Sequence, residues 1–218
     1  MIIDLHVHTT ISGDSIITPE TLVHAAKNNG LEGLCITEHG IEKSRLAEEL
    51  AAKYDFPVFG GIEASTELGD ILVFGIDKYP RIISKASELK DFVEDAGGVL
   101  IASHPFRSYF YHSNYNPRLT VETGCQSRLL QLVNDMEMYN GWSTEEEVVF
   151  CQGVSKKLGL KGTGGSDAHI PLQIGCCVTV FENTIRTEGD LVVELRQGRV
   201  SAEDRRLPQQ KGPMNWFR

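Results

Sequence analysis

Short apolar segments alternate with amphipathic segments along most of the chain. Runs of about four to eight apolar residues bounded by turn formers predict buried strands, and apolar residues three and four apart predict helices. The first helix is the best delimited, because Thr18 can cap it, Pro19 suits its first turn and Gly30 follows its end. The pattern predicts strands at residues 2–7, 33–37, 57–62, 71–76, 99–103, 135–139, 160–164 and 177–181, and further helices at 41–53, 84–96, 127–133, 144–158 and 188–197.

This alternation predicts βαβ units and an α/β fold with a mostly parallel sheet, either open or closed into a barrel. Two segments lack such a pattern. Residues 106–120 form a long loop whose length is typical of functional loops, and its tyrosines could either stack on a substrate ring or simply pack. Residues 201–218 are polar and are expected to be a tail, weakly ordered or lying over the barrel, that follows a single domain at residues 1–200.

Composition narrows the class of protein. The 218 residues are 41% hydrophobic and 23% charged, as expected for one substantial globular domain. No apolar stretch is long enough to cross a membrane and no signal peptide is evident, which predicts a cytoplasmic protein. The net charge of −9 disfavours binding to long nucleic acid. The five cysteines have no CxxC spacing and are expected to be reduced thiols.

Five of the seven histidines fall at the ends of predicted strands. His6 and His8 are two residues apart on the first strand and therefore point to the same face. Active sites of α/β barrels lie at the carboxyl ends of the strands, so side chains at these positions converge. The candidate metal ligands found in this way are His6, His8, His39, Glu63, His104, Asp167 and His169.

These ligand types predict the kind of metal. Imidazole and carboxylate groups without thiolate suit Zn, Mn or Fe in a hydrolytic site. A set this rich can hold more than one ion, and a carboxylate such as Glu63 can bridge two. Paired metals about 3.5–4 Å apart promote in-line displacement at phosphorus.

Five segments together resemble the PHP (polymerase and histidinol phosphatase) family of metal-dependent phosphoesterases. They occur in the family's order and span most of the first 170 residues. The segments are DLHVHTTISGD (4–14), ITEHG (36–40), GIEAS (61–65), ASHPFR (102–107) and GGSDAH (164–169).

The resemblance implies a distorted (β/α)7 TIM-like barrel of the α/β class, with two or three divalent ions at its carboxyl-terminal face. It also implies hydrolysis of a small phosphorylated substrate, a phosphomonoester or a nucleotide, by a metal-activated water. The implied ligands are His6, His8, Glu63 and Asp167 for the first metal, Glu63 and His104 for the second, and Asp14, His39 and His169 for the third.

Three further residues are expected to act in catalysis. Arg107, directly after His-Pro-Phe, can bind the substrate phosphate through two parallel hydrogen bonds. Asp167, His169 or a metal-bound water is expected to assist proton transfer, and the sequence does not separate a ligand from a general acid.

The chain departs from the family pattern at Leu72, where many relatives have a further histidine. Leucine cannot coordinate a metal, so the second site is expected to be weaker or to be completed by water, substrate phosphate, Asp70 or Glu137. Glu38 stands where aspartate is common. It is expected to support His39 by hydrogen bonding or to face the site.

Three alternatives stay open on the sequence. A nuclease acting on short oligonucleotides or nucleoside bisphosphates would use the same metals. A non-catalytic domain that keeps a metal for structure or ligand sensing would account for Leu72. An amidohydrolase on a related barrel would share the HxH motif and a late aspartate, but not the HPFR and SDAH segments, and no metal-bridging lysine can be placed. The natural substrate and the oligomeric state are not determined by the sequence.

Overall fold

The computed structural model describes residues 1–39, 45–77, 83–111 and 119–211. The strands are β1 (Ile2–Val7), β2 (Gly33–His39), β3 (Val58–Thr66), β4 (Gly69–Phe74), β5 (Val99–Ala102), β6 (Asp135–Asn140), β7 (Thr163–Gly165), β8 (Cys177–Phe181) and β9 (Val200–Asp204). The helices are α1 (Pro19–Asn28), α2 (Leu46–Tyr54), α3 (Ala86–Asp95), α4 (Arg107–Tyr111), α5 (Val121–Gly124), α6 (Glu145–Leu158) and α7 (Glu188–Arg196).

The strands form a nearly closed barrel. Their order in the sheet is β7-β6-β5-β4-β3-β2-β1-β8-β9. The chain just after β7 then returns to β1, because Val7 pairs with Ala168 and the Asp167 amide donates to the His6 carbonyl oxygen. This closure brings the ends of β1 and β7 together at the mouth of the barrel.

The sheet is mixed, which corrects the expectation of a mostly parallel sheet. β1–β2, β2–β3, β5–β6 and β6–β7 are parallel, whereas β3–β4, β4–β5, β1–β8 and β8–β9 are antiparallel. Thr66 pairs with Gly69, so only two residues join β3 to β4, too few for a parallel crossover. Gly69 has a φ of +129°, which allows this tight connection.

The barrel interior is filled with apolar side chains, and helices cover its outer face. Leu72 is fully buried inside, packed in one cluster with Ile3, Leu5, Phe74 and Ile101. The histidines and carboxylates of the candidate site lie at the end of the barrel where the parallel strands finish. The interior is therefore a core, and any chemistry is confined to the mouth.

The predicted helix at residues 127–133 is wrong. The segment forms isolated turns, in which the Ser127 amide donates to Gly124 and the Leu132 amide to Leu129. Leu129 and Leu130 are buried against the core, which accounts for the apolar periodicity without a helix. The helix in this region is α5, capped by Thr120.

The expected weakly ordered tail is wrong for residues 201–204, which belong to β9 and pair with β8. The division of the chain into residues 1–200 and 201–218 stays a prediction. The expected long loop at residues 106–120 is wrong for residues 107–111, which form α4. Residues 40–44, 78–82, 112–118 and 212–218 lie outside the described residues, and with them His112, Tyr115 and Arg118 of that segment. All five cysteines are free thiols, as expected. Within the described ranges, no helix has both the length and the apolar character needed to cross a membrane.

Candidate metal centre

Four ligand atoms from three strand ends converge at the mouth of the barrel. The Nε2 atoms of His6 and His8 are 2.9 Å apart, and each lies 3.3 Å from Oε2 of Glu63. Oδ1 of Asp167 lies 3.5 Å from His6 Nε2 and 3.3 Å from His8 Nε2. A tetrahedral ion with bonds of about 2.0–2.1 Å requires ligand atoms about 3.3–3.4 Å apart. Four of these separations, 3.3–3.5 Å, match that spacing, and the 2.9 Å between the two histidine nitrogens is shorter. The four side chains therefore converge on a position that suits one divalent cation.

The backbone at this site is conformationally costly. Asp167 has a φ of +53° and His104 a φ of +31°, values that non-glycine residues rarely adopt. The hydrogen bond from the Asp167 amide to the His6 carbonyl oxygen helps to hold Asp167 in this backbone conformation. Strained backbone of this kind is a mark of functional sites.

Glu63 joins the first group of ligands to a second. Its other oxygen, Oε1, lies 3.0 Å from Nε2 of His104. Ligand atoms of Glu63, His104 and Asp70 all lie within 4.8 Å of one another. Glu63 pairs directly with Leu72 across the β3–β4 ladder, and Asp70 lies two residues nearer the mouth on the same face of β4. Asp70 is thus placed to supply the ligand that Leu72 cannot.

The third expected group lies at the rim. Oδ2 of Asp14 is 3.1 Å from Nε2 of His39 and 3.2 Å from Nε2 of His169. His39 also reaches inward, since its Nδ1 lies 3.0 Å from Glu63 Oε2. The side chains of Asp14 and His39 are 50% and 41% exposed, so this group is open to solvent where the first is buried. The structure therefore brings all eight predicted ligands into one continuous cluster, while their role as metal ligands stays a prediction.

Glu137, buried at the end of β6, contacts two candidate ligand residues at atoms other than their metal-facing Nε2 nitrogens. Its Oε1 lies 2.9 Å from Nδ1 of His6, and its Oε2 accepts hydrogen bonds from the His104 amide and from the Asn140 side chain, each at 2.9 Å. A carboxylate on the far nitrogen of a ligating histidine fixes its tautomer and orientation. Glu137 is thus committed to His6, which leaves Asp70 as the carboxylate available to the second group.

Glu38 acts on the loop between β1 and α1. It accepts hydrogen bonds from the amide and hydroxyl of Thr9 and from the hydroxyl of Ser12. The Ser12 oxygen in turn accepts from the His39 amide and lies 3.1 Å from His8 Nδ1. Glu38 therefore supports His39 through hydrogen bonds relayed by Ser12.

Charges within the site are strongly coupled. Burial opposes ionisation of Glu63 and Asp167, yet His6 and its neighbours hold the pKa of both carboxyls well below their usual range. Burial likewise opposes a charge on His6, but the surrounding carboxylates raise its pKa well above 6.5. The hydrogen bond to Glu63 raises the pKa of His39 to about 9. Protons thus compensate the carboxylates in the free protein, and a divalent cation suits the same position.

Arg107 begins α4 on the wall of the site. Its Nη2 lies 2.8 Å from Oδ2 of Asp167, and it also donates to the side-chain oxygen of Asn140. It lines a cleft of about 300 Å³ together with Asp70 and His104. Arg107 is therefore placed beside the candidate metals, and phosphate binding by it stays a prediction.

Two residues of the site were not predicted from the sequence. Asn140 donates to Glu137 and accepts from Arg107, and the Trp142 indole N–H donates to the Asp167 carbonyl oxygen at 2.8 Å. Both follow Glu137 at the carboxyl end of β6. Applying the strand-end criterion to amide and indole side chains, as well as to metal ligands, would have found them.

Two family models and several known proteins match this chain. A model of the PHP domain matches residues 4–152, and a model described as PHP-associated matches residues 152–200. An uncharacterised protein of Methanocaldococcus jannaschii is 30% identical, covering 47% of this chain and 67% of its own. A probable phosphatase of Caldicellulosiruptor saccharolyticus is 26% identical, covering 80% of this chain and 83% of its own.

A solved structure shows the same fold. It is a two-domain protein of Bacteroides vulgatus that contains a predicted PHP-like metal-dependent phosphoesterase, with a TM-score of 0.71 and 19% identity. The similarity covers 94% of this chain and 64% of that protein, so this chain spans less than two thirds of it. The expected distorted TIM-like barrel is confirmed. Since the PHP model matches well over half of the residues, the chain belongs to the PHP family of metal-dependent phosphoesterases.

Proposed function

We propose that this protein hydrolyses the phosphate ester of a small substrate, a phosphomonoester or nucleotide, with two or three divalent ions at the mouth of its barrel. The observation that carries the proposal is the convergence of ligand atoms from His6, His8, Glu63 and Asp167 at one point, next to an arginine in an accessible cleft. Zn, Mn and Fe all suit these ligands. Bound divalent ions would supply Lewis acidity and a water of lowered pKa.

Arg107 would bind and orient the phosphate. A guanidinium has five N–H donors, so it can contact a phosphate oxygen while it keeps its bond to Asp167. That bond also holds the arginine on the side of the cleft nearest the ligand cluster. Orientation of the phosphate then lowers the entropic cost of reaching the transition state.

His169 is the better supported of the two candidates for proton transfer. Both oxygens of Asp167 are engaged, Oδ1 with histidine nitrogens and Oδ2 with Arg107. The Nδ1 of His169 lies 2.9 Å from the Asp167 carbonyl oxygen, so this nitrogen carries the proton in the neutral ring. Its Nε2 then presents a lone pair toward the rim, where it can bind a metal or take a proton.

The proposal is tested by hydrolysis assays on the full chain, stripped of metal and reloaded with Mn, Zn or Fe. We expect turnover of p-nitrophenyl phosphate and of nucleotide monophosphates, and a fall in kcat/KM of about 100-fold or more in Arg107→Gln. Arg186→Gln, an exposed arginine that lines none of the described cavities, is the matched control. Absence of turnover with every metal, in folded and metal-loaded protein, would refute the phosphoesterase function.

A further inference from the structure

A second cavity adjoins the cleft that contains Arg107. The inner cleft of about 300 Å³ and an outer cavity of about 620 Å³ share Leu68, Pro105 and Ser108 in their walls. The inner one is bounded by His104 and Arg107. The two volumes are each of the size that holds a small molecule or part of one, so a substrate can extend from the ligand cluster into the outer cavity.

The outer cavity is lined by an arginine that makes no ion pair among the described residues. Arg128 lines it and is exposed, and among the described residues its side chain has neither an ion pair nor a hydrogen bond. The one carboxylate in the described wall is Glu67, whose Oε2 already accepts from the Ala86 amide at 2.8 Å.

The position of Arg128 is set by its neighbours. Leu129 and Leu130 follow it directly and are buried in the main core cluster. On the other side, the amides of Gln126 and Ser127 donate to the last turn of α5. The arginine therefore stands on fixed backbone, which keeps its guanidinium within reach of the cavity.

We propose that Arg128 binds a second anionic group of the substrate, so that the preferred substrate is a small phosphate ester with a phosphate or carboxylate at its far end. This inference rests on the proposed function only in placing the scissile phosphate at the ligand cluster. A guanidinium binds either anion through charge-assisted, often bidentate, hydrogen bonds. The polar wall near it, with Thr123, Gln126 and Ser127, suits such a group.

The test measures binding of non-hydrolysable ligands to the metal-loaded full chain by calorimetry. Alkylphosphonates are compared with α,ω-alkane diphosphonates and with ω-carboxyalkyl phosphonates of two to six carbons. We expect about tenfold tighter binding of a second-anion ligand at one chain length, well beyond the factor of two that two equivalent ends would give. The better of the two series identifies the anion, and the best length measures the span between the two sites.

Variants separate a specific contact from a general effect. Arg128→Gln should reduce the preference to about the factor of two for the diphosphonates and abolish it for the carboxyalkyl phosphonates, while leaving monophosphonate affinity unchanged. Arg128→Lys should retain part of the preference, and Arg186→Gln should retain all of it. Equal affinity of both ligand types at every length, or an equal loss for both in Arg128→Gln, would overturn the inference. Because binding is measured without turnover, this result is separate from failure of the phosphoesterase assay.

Discussion

Glu137 positions two candidate ligands without facing the substrate. It contacts Nδ1 of His6 and accepts the amide of His104. Replacing such a carboxylate behind a ligating histidine typically weakens metal binding by about 10–100-fold. We expect Glu137→Gln to fall in this range, measured by competition with a chromogenic chelator.

The control for this prediction is Glu122→Gln, which removes an exposed carboxylate that pairs with Lys157. It should leave metal affinity unchanged. Equal metal affinity in wild type and Glu137→Gln would show that His6 does not depend on Glu137.

Glu147 has no assigned part in the chemistry, yet it is fully buried in the first turn of α6. Neither of its carboxylate oxygens has a hydrogen-bond partner among the described residues. Burial raises its pKa above 4.5, and the nearby Arg107 only partly opposes this. The folded state thus binds this proton more tightly than the unfolded state, so Glu147 costs stability as pH rises above 4.5.

Glu147→Gln should therefore stabilise the protein more at pH 8 than at pH 5. Urea unfolding of wild type and variant at both values measures the difference. The adjacent exposed residue provides the control, since Glu146→Gln should show little change at either pH. A stability change in Glu147→Gln that is the same at both values would contradict a buried, ionising carboxyl.

At the scale of elements, the segment that follows β9 holds the loop around Trp142, which borders the candidate site. Arg206, two residues beyond β9, is buried, pairs with Asp204 at 2.8 Å and donates to the carbonyl oxygens of Gly141 and Ser143. Those carbonyls flank Trp142, which contacts Asp167. The C-terminal strand thus links the end of the chain to the wall of the metal centre.

Replacing Arg206 by a neutral residue should lower the free energy of unfolding. Arg206→Met leaves Asp204 and two carbonyl groups without their partner, and breaking a buried pair in this way typically costs about 3–5 kcal/mol. Urea unfolding measures the loss. Arg205→Met, which removes an exposed pair with Glu203, should cost less than about 1 kcal/mol. Similar losses in both variants would contradict the role given to Arg206.

Elements with clear end signals were predictable from the sequence. The limits of β1 and β8 match the structure, as do Thr18 and Pro19 at the start of α1. Two elements were not predictable. Leu129, Leu132 and Val133 have helical spacing but lie in isolated turns. β9 is an edge strand whose polar sequence carries no apolar run. Both outcomes depend on tertiary packing, which local periodicity does not encode.

The site was predictable for a different reason. All of its candidate ligands except Asp14 lie at or near the end of a strand, and a barrel brings strand ends together whatever the register of each pair. Asn140 and Asp70 show the limit, because their roles depend on register and on hydrogen bonds made across the mouth. The sequence shows that Leu72 stands where a metal ligand is expected. The pairing of β3 with β4 is needed to show how near Asp70 lies to that position.

For the whole molecule, metal binding and proton binding compete at one cluster. Neighbouring carboxylates raise the pKa of His6 and His8, and hydrogen bonding to Glu63 raises that of His39 to about 9. A histidine loses its proton when it binds metal, so apparent metal affinity should rise between pH 6.5 and 9, by about tenfold per pH unit for each proton released.

Chelator competition across this pH range measures the slope, and calorimetry in two buffers of different ionisation enthalpy counts the protons. Affinity that does not change with pH would contradict protonated histidines in the metal-free site. We expect at least one proton to be released on metal binding below pH 9, because the pKa of His39 alone is raised to about 9.

The central claim is that divalent ions held at the mouth of the barrel form a hydrolytic centre. Its most direct test is to titrate the metal-free protein with Mn or Zn while measuring both phosphate release and bound ions per chain. We predict no phosphate release without metal, and a rate of release that rises with the number of bound ions and saturates at two or three per chain. In Asp167→Asn, both phosphate release and metal binding should be lost. Turnover that persists after complete metal removal, or none at full occupancy, would contradict the account.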